Sequence, residues 1–155
     1  MRIQRRNRDI TQLRRQLMDT SRRLRHEATA DDRSWARLLV LGAIDRHGEA
    51  ATPSVLAADE GMRSSNLAAT LRSLEARKLI VRTPDTEDRR KVRLRLSSAG
   101  QRFLDDSRAR GERWLTEAMD VYLTASERSD LIKAGALLDR ITAYSKAAMR
   151  RSRKS

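Results

Sequence analysis

The chain has 155 residues, which fits one domain, and its 34 Lys and Arg against 21 Asp and Glu leave a net charge of +13, favouring a polyanionic partner: nucleic acid first, an anionic membrane surface second. The absence of cysteine excludes disulfides, thiolate zinc sites and thiol redox switches, and an aromatic content of 3% argues against a platform that stacks single-stranded bases. The longest apolar stretch, Trp35 to Ile44, contains Arg37 and is too short to cross a bilayer, and no apolar run follows the Arg-rich start, so a cytoplasmic protein without membrane contact is expected.

Ile3, Ile10, Leu17 and Leu24 recur every seven residues, with Leu13 between them. This narrow stripe predicts a first helix that lies along another helix. Its other faces carry Arg5, Arg6, Arg8, Arg14, Arg15, Arg22, Arg23 and Arg25, read as mostly solvated. After a polar break over 29–33, Ser34 is the expected cap of a helix that is apolar nearly all round, from Trp35 to Ile44, and ends near Gly48. Thr52-Pro53 opens a short third helix, which Gly61 closes. A fourth begins near Ser64, with Leu67, Leu71 and Leu74 inward. Two short helices around a Gly-containing turn form a candidate helix-turn-helix.

Leu79, Ile80 and Val81 then signal a strand, and Val92, Leu94 and Leu96 alternate with Lys91, Arg93 and Arg95, which predicts a hairpin with one apolar and one cationic face. Ser98 to Gln101 has the spacing of a capping box and opens a long helix. Thr124 to Glu127 has the same spacing and opens the last one, with Leu131, Ala134, Leu138 and Ile141 on one face. Arg150, Arg151, Arg153 and Lys154 form a basic tail. The two histidines, His26 and His47, fall at helix ends away from any carboxylate pair or nucleophile pattern, and no phosphate loop or metal-ligand cluster is present, so neither an enzyme nor a cofactor or metal is expected.

This order of elements, and above all the run Arg82-Thr83-Pro84-Asp85-Thr86-Glu87-Asp88-Arg89-Arg90-Lys91 continued to Gly100, resembles the MarR family, whose wing signature is an Arg, then Asp-x-x-Asp-Arg-Arg, then an alternating strand closing on Leu-Thr-x-x-Gly. Ser97 stands for the usual Thr. Two departures are visible: Ala68 and Ala69 replace the Thr-Arg common in family recognition helices, and Lys78 stands where a Gly usually follows that helix, so a left-handed cap there needs a non-Gly residue or a different exit.

The fold expected is mainly α with a small β-hairpin wing: a winged helix-turn-helix at 34–98, dimerisation helices at 1–33 and 99–149, and a basic tail at 150–155, all within one MarR-like domain, 1–155. With the three leucines inward, a turn of about 100° per residue puts Ser65, Ala69, Arg72 and Ala76 on the opposite face. Ser64, Asn66 and Ser73 flank it, and this face is the candidate major-groove reader, against the plainer reading of an ordinary solvated surface. In the wing, the resemblance implies that Arg90 enters the minor groove with Asp88 orienting the basic residues near it. Arg89 belongs to the same cluster, and Lys91, Arg93 and Arg95 are candidate phosphate contacts. The resemblance also implies a homodimer, with Ile10, Leu13, Leu17, Leu131, Leu138 and Ile141 as interface candidates, and a small-molecule effector pocket for which Trp35, Trp114 and Tyr122 are candidates, core packing being the alternative for all three. The function implied is a regulator, as a repressor, binding a palindromic double-stranded operator. A ligand-independent architectural or nucleoid-associated DNA binder is the alternative, and a helical module for acidic protein partners is a third.

Overall fold

The computed structural model describes residues 2–29, 32–85, 88 and 91–152, without the side chains of 2–6, 32, 33, 59 and 145–152. Its elements, in order, are α1 (Arg2–Ala28), α2 (Asp32–His47), a 3-10 turn (Gly48–Ala50), α3 (Pro53–Glu60), α4 (Ser64–Ala76), β1 (Ile80–Pro84), β2 (Val92–Leu96), α5 (Ser98–Tyr122) and α6 (Ala125–Ser152). They fall into two compact units, Met1–Trp114 and Leu115–Ser155.

The first unit holds the buried core. Val40, Leu41, Ala43 and Ile44 of α2 sit at its centre, meeting Leu56 of α3, Leu67, Leu71 and Leu74 of α4, Ile80 and Leu94 of the hairpin and Leu104 of α5. Burial on nearly every face is why α2 reads as apolar all round. Each fully buried leucine contributes about 1.5–3 kcal/mol relative to exposure, so the three leucines of α4 suffice to fix which way that helix faces. Two expectations about helix starts are corrected. Ser34 is not a cap: α2 begins at Asp32, and the Ser34 hydroxyl, inside its first turn, accepts from Arg37 Nη2 at 2.7 Å. At α5 the cap is Ser97 and not Ser98, since Ser97 Oγ accepts from the Gly100 amide at 3.0 Å while the Gln101 amide bonds Ser97 O. Gln101 does not reach back to the cap; its side chain bonds Asp105.

In the second unit the corner between α5 and α6 is closed by the expected capping box. The Glu127 amide donates to Thr124 Oγ1, and Glu127 Oε2 accepts from both the Thr124 amide and its hydroxyl, each at 2.8 Å. Those two bonds, the backbone one foremost, hold the Glu127 carboxyl below the usual carboxylate range. Arg128 adds a bond to Leu123 O and an ion pair with Asp120. No helix among the described residues is long and apolar enough to cross a membrane.

Candidate nucleic-acid interface

The helix-turn-helix is set by three local devices. Thr52 Oγ1 accepts from the Val55 amide and Pro53, which has no amide donor to satisfy, occupies the first helical position. Gly61 ends α3 in the left-handed region at φ 61°, where a side chain would be strained. With Leu67, Leu71 and Leu74 inward, α4 exposes Ser64, Ser65, Asn66, Ala69 and Arg72, and Ser73 is half-buried at the edge. The Asn66 and Arg72 side chains have no hydrogen-bond or ion-pair partner among the described residues, so both are available to a ligand.

The wing is an antiparallel hairpin in which Ile80 pairs Leu96, Arg82 pairs Leu94 and Pro84 pairs Val92. Residues opposite one another share a face, so the inner face carries Ile80, Leu94 and Leu96, with Arg82 at its rim. That arginine pairs with Glu75 and ties β1 to α4. The outer face carries Arg93 and Arg95, both of which reach the 3-10 turn. Arg93 Nε bonds Asp85 Oδ2 at 2.6 Å, its Nη1 donates to Glu49 O, and Arg95 pairs with the Glu49 carboxylate at 2.5 Å. Lys91 is exposed and lies 3.8 Å from Asp88. Arg89 and Arg90 lie outside the described residues.

The exit of α4 resolves the departure at Lys78. Its amide donates to Glu75 O, the Leu79 amide donates to Leu74 O, and Lys78 has φ 58°. This is a Schellman cap built with a lysine in the left-handed position. Immediately beyond it Leu79 O accepts from the Ser97 amide, and a Cβ on Gly100 would lie 1.9 Å from that same oxygen. Only glycine fits there.

A model of the MarR family matches residues 31–91. Among solved structures, a transcriptional regulator protein from Pseudomonas aeruginosa is 50% identical, with a TM-score of 0.78 over 88% of this chain and 95% of that one. The chain belongs to the MarR family of transcriptional regulators. Two further structures share the fold of this MarR-family protein. A mutant MarR from E. coli is 22% identical with a TM-score of 0.70, covering 85% of this chain and 94% of its own. An S. aureus MepR mutant bound to an oligodeoxyribonucleotide is 17% identical with a TM-score of 0.58, covering 86% and 95%. No curated protein matches.

In this MarR-family chain the three aromatic residues named from the sequence part company. Trp35 lines a cavity of about 320 Å3 between α2 and the first part of α5, with Leu24, Leu38, Gly42, Leu104 and Gly111 around it. Trp114 is not in that lining; its ring lies 5.8 Å from the Arg23 guanidinium. Tyr122 belongs to the second unit and is 82% exposed, so neither the cavity nor core packing accounts for it. The roles of Glu49, Asp85 and Arg82 were not singled out from the sequence. Asp85 opens the Asp-x-x-Asp pattern, which was a signal; Glu49 carried none, since its partner Arg93 lies 44 positions away.

Proposed function

We propose that the protein is a repressor that binds a palindromic double-stranded DNA operator as a homodimer. The observation that carries this reading is the outer face of α4, where Ser65, Asn66, Ala69 and Arg72 stand exposed, Asn66 and Arg72 without partners among the described residues, over three buried leucines. Asn66 has the bidentate geometry for adenine and Arg72 for guanine, Ala69 can meet a thymine methyl, and Ser64 and Ser73 border the contact. Lys91 and Arg95 serve phosphates beside the groove, Arg89 and Arg90, which precede Lys91 in sequence, supply the minor-groove guanidinium, and Asp88 orients the cluster. A guanidinium there would favour a minor groove narrowed by A and T steps.

Two further parts of the reading have separate support. Ile10, Leu13 and Leu17 of α1, and Leu131, Leu138 and Ile141 of α6, are all exposed in the single chain, and a second copy would cover them. Two recognition helices one DNA turn apart would then meet a two-fold site. The cavity beside Trp35 is the place for a small, largely apolar effector whose binding releases DNA.

Selection from a random DNA pool tests the proposal. Recovery of a palindrome whose half-sites change at single positions when Asn66 or Arg72 is replaced by Ala supports it. Loose enrichment of bendable or A/T-rich DNA would favour the architectural reading, to which the net charge of +13 also lends weight. No enrichment would turn attention to an acidic protein partner.

A further inference from the structure

The two arginines on the outer face of β2 are alike in sequence and unlike in setting. Arg95 is about half exposed and its partner, the Glu49 carboxylate, is 69% exposed, so this ion pair is screened and Arg95 can exchange it for a phosphate at little cost. Arg93 is 26% exposed and its partner Asp85 only 6%. Withdrawing Arg93 would take a charge-assisted bond of 2.6 Å from a buried carboxylate, a larger loss than a solvated phosphate contact returns.

Asp85 is also the knot of the wing loop. Its Oδ1 accepts from the Asp88 amide at 3.1 Å, its own amide donates to Lys91 O, and the Lys91 amide donates to Asp88 O. From Arg93 the network continues to Glu49 O, while the Leu94 amide bonds Ala51 O beside it. One guanidinium therefore joins the loop, the strand and the turn that follows α2. We infer that Arg93 and Asp85 are positioning residues, which fix the angle of the wing and the places of Asp88 and Lys91 beside the DNA, and that Arg93 does not contact phosphate. This rests on the proposed DNA binding for its consequence, though the clasp itself can be tested without DNA.

The experiment compares wild type with Arg93→Met, Arg93→Lys, Asp85→Asn and Arg95→Met on the selected operator, with A/T-rich and G/C-rich flanks over a salt series, using circular dichroism as a fold control. Arg95→Met should reduce the salt slope by about one unit for each phosphate that Arg95 neutralises in the wild type. Arg93→Met and Asp85→Asn should leave the slope unchanged, weaken binding by about tenfold and flatten the preference for A/T-rich flanks, and the double variant should bind no more weakly than either single one. Arg93→Lys keeps the charge but cannot serve Asp85 and Glu49 O together, so its flank preference should stay reduced; full recovery would mean that Arg93 touches phosphate and overturn the inference, as would a lowered slope for Arg93→Met. In the free protein, amide exchange at Asp88 and Lys91 should accelerate about tenfold in Arg93→Met and not in Arg95→Met. Unchanged exchange overturns the clasp whether or not DNA binds, whereas wild-type protein that binds no operator, with exchange accelerated as expected, overturns the proposed function alone.

Discussion

Lys78 holds a left-handed conformation because the Schellman bonds of the Lys78 and Leu79 amides turn the chain from α4 into β1, where Leu79 packs against the core. A non-Gly residue in that region costs about 1–2 kcal/mol, part of which glycine returns as unfolded-chain entropy. Lys78→Gly should therefore stabilise the protein by about 0.5–1 kcal/mol, read as a raised urea midpoint with an unchanged slope. Gly100 is the opposite case. A methyl group there would meet Leu79 O, a backbone atom that also accepts from the Ser97 amide. Gly100→Ala should cost about 2–3 kcal/mol, an overpacking penalty without relief from side-chain motion, and a thermal melt within a degree of wild type would refute that geometry. Sequence alone showed that Lys78 departed from a pattern. It could not show which of the two exits the chain takes, because that choice is made by Leu79 and the strand beyond it.

At the level of elements, the faces of α4 and β2 were legible because periods of 3.6 and 2 require no knowledge of the partner. Leu67, Leu71, Leu74 and Leu94 all lie where alternation put them. What covers the outer face of the hairpin was not legible, since Glu49 is distant in sequence and β2's alternation is the same whether Arg93 meets water, DNA or a carboxylate. Caps were legible in kind, but at α5 the cap lies one residue earlier, where the neighbouring Ser97 and Ser98 offer the same hydroxyl and only the backbone bend decides between them, and at α2 Ser34 falls inside the first turn. The box at Thr124 and Glu127 is unambiguous, and it makes α6 sensitive to acid. The Glu127 carboxyl titrates below its ordinary range when folded, so its contribution is complete above that range and is lost as pH falls through the lowered folded value. Titrating the Glu127 side-chain carbon by NMR should give a midpoint below that of the same residue in an unfolded peptide spanning the corner. Thr124→Ala should move the midpoint back, and an unmoved midpoint would show that the box does not hold in solution.

For the molecule as a whole, exposed apolar residues on α1 and α6 and the absence of cysteine set two expectations. Light scattering at micromolar concentration should give about twice the 17.7 kDa of one chain, and a monomer mass across that range would remove the dimer from the proposal. Because the chain has no cysteine, mild peroxide should not release operator DNA in a manner that a thiol reductant reverses; such a reversal would implicate chemistry the composition excludes.

The arginines of α1 have a use in the laboratory that their charge does not suggest. Arg25 lies over the Trp35 ring at 5.3 Å and Arg23 over Trp114 at 5.8 Å, so both tryptophans of the chain sit beneath the same helix, one against the cavity and one apart from it. Their emission is thus a pair of built-in optical channels: undocking α1 would shift both, while a guest in the cavity would alter Trp35 alone, and replacing either indole with Phe would isolate the other channel without any attached dye.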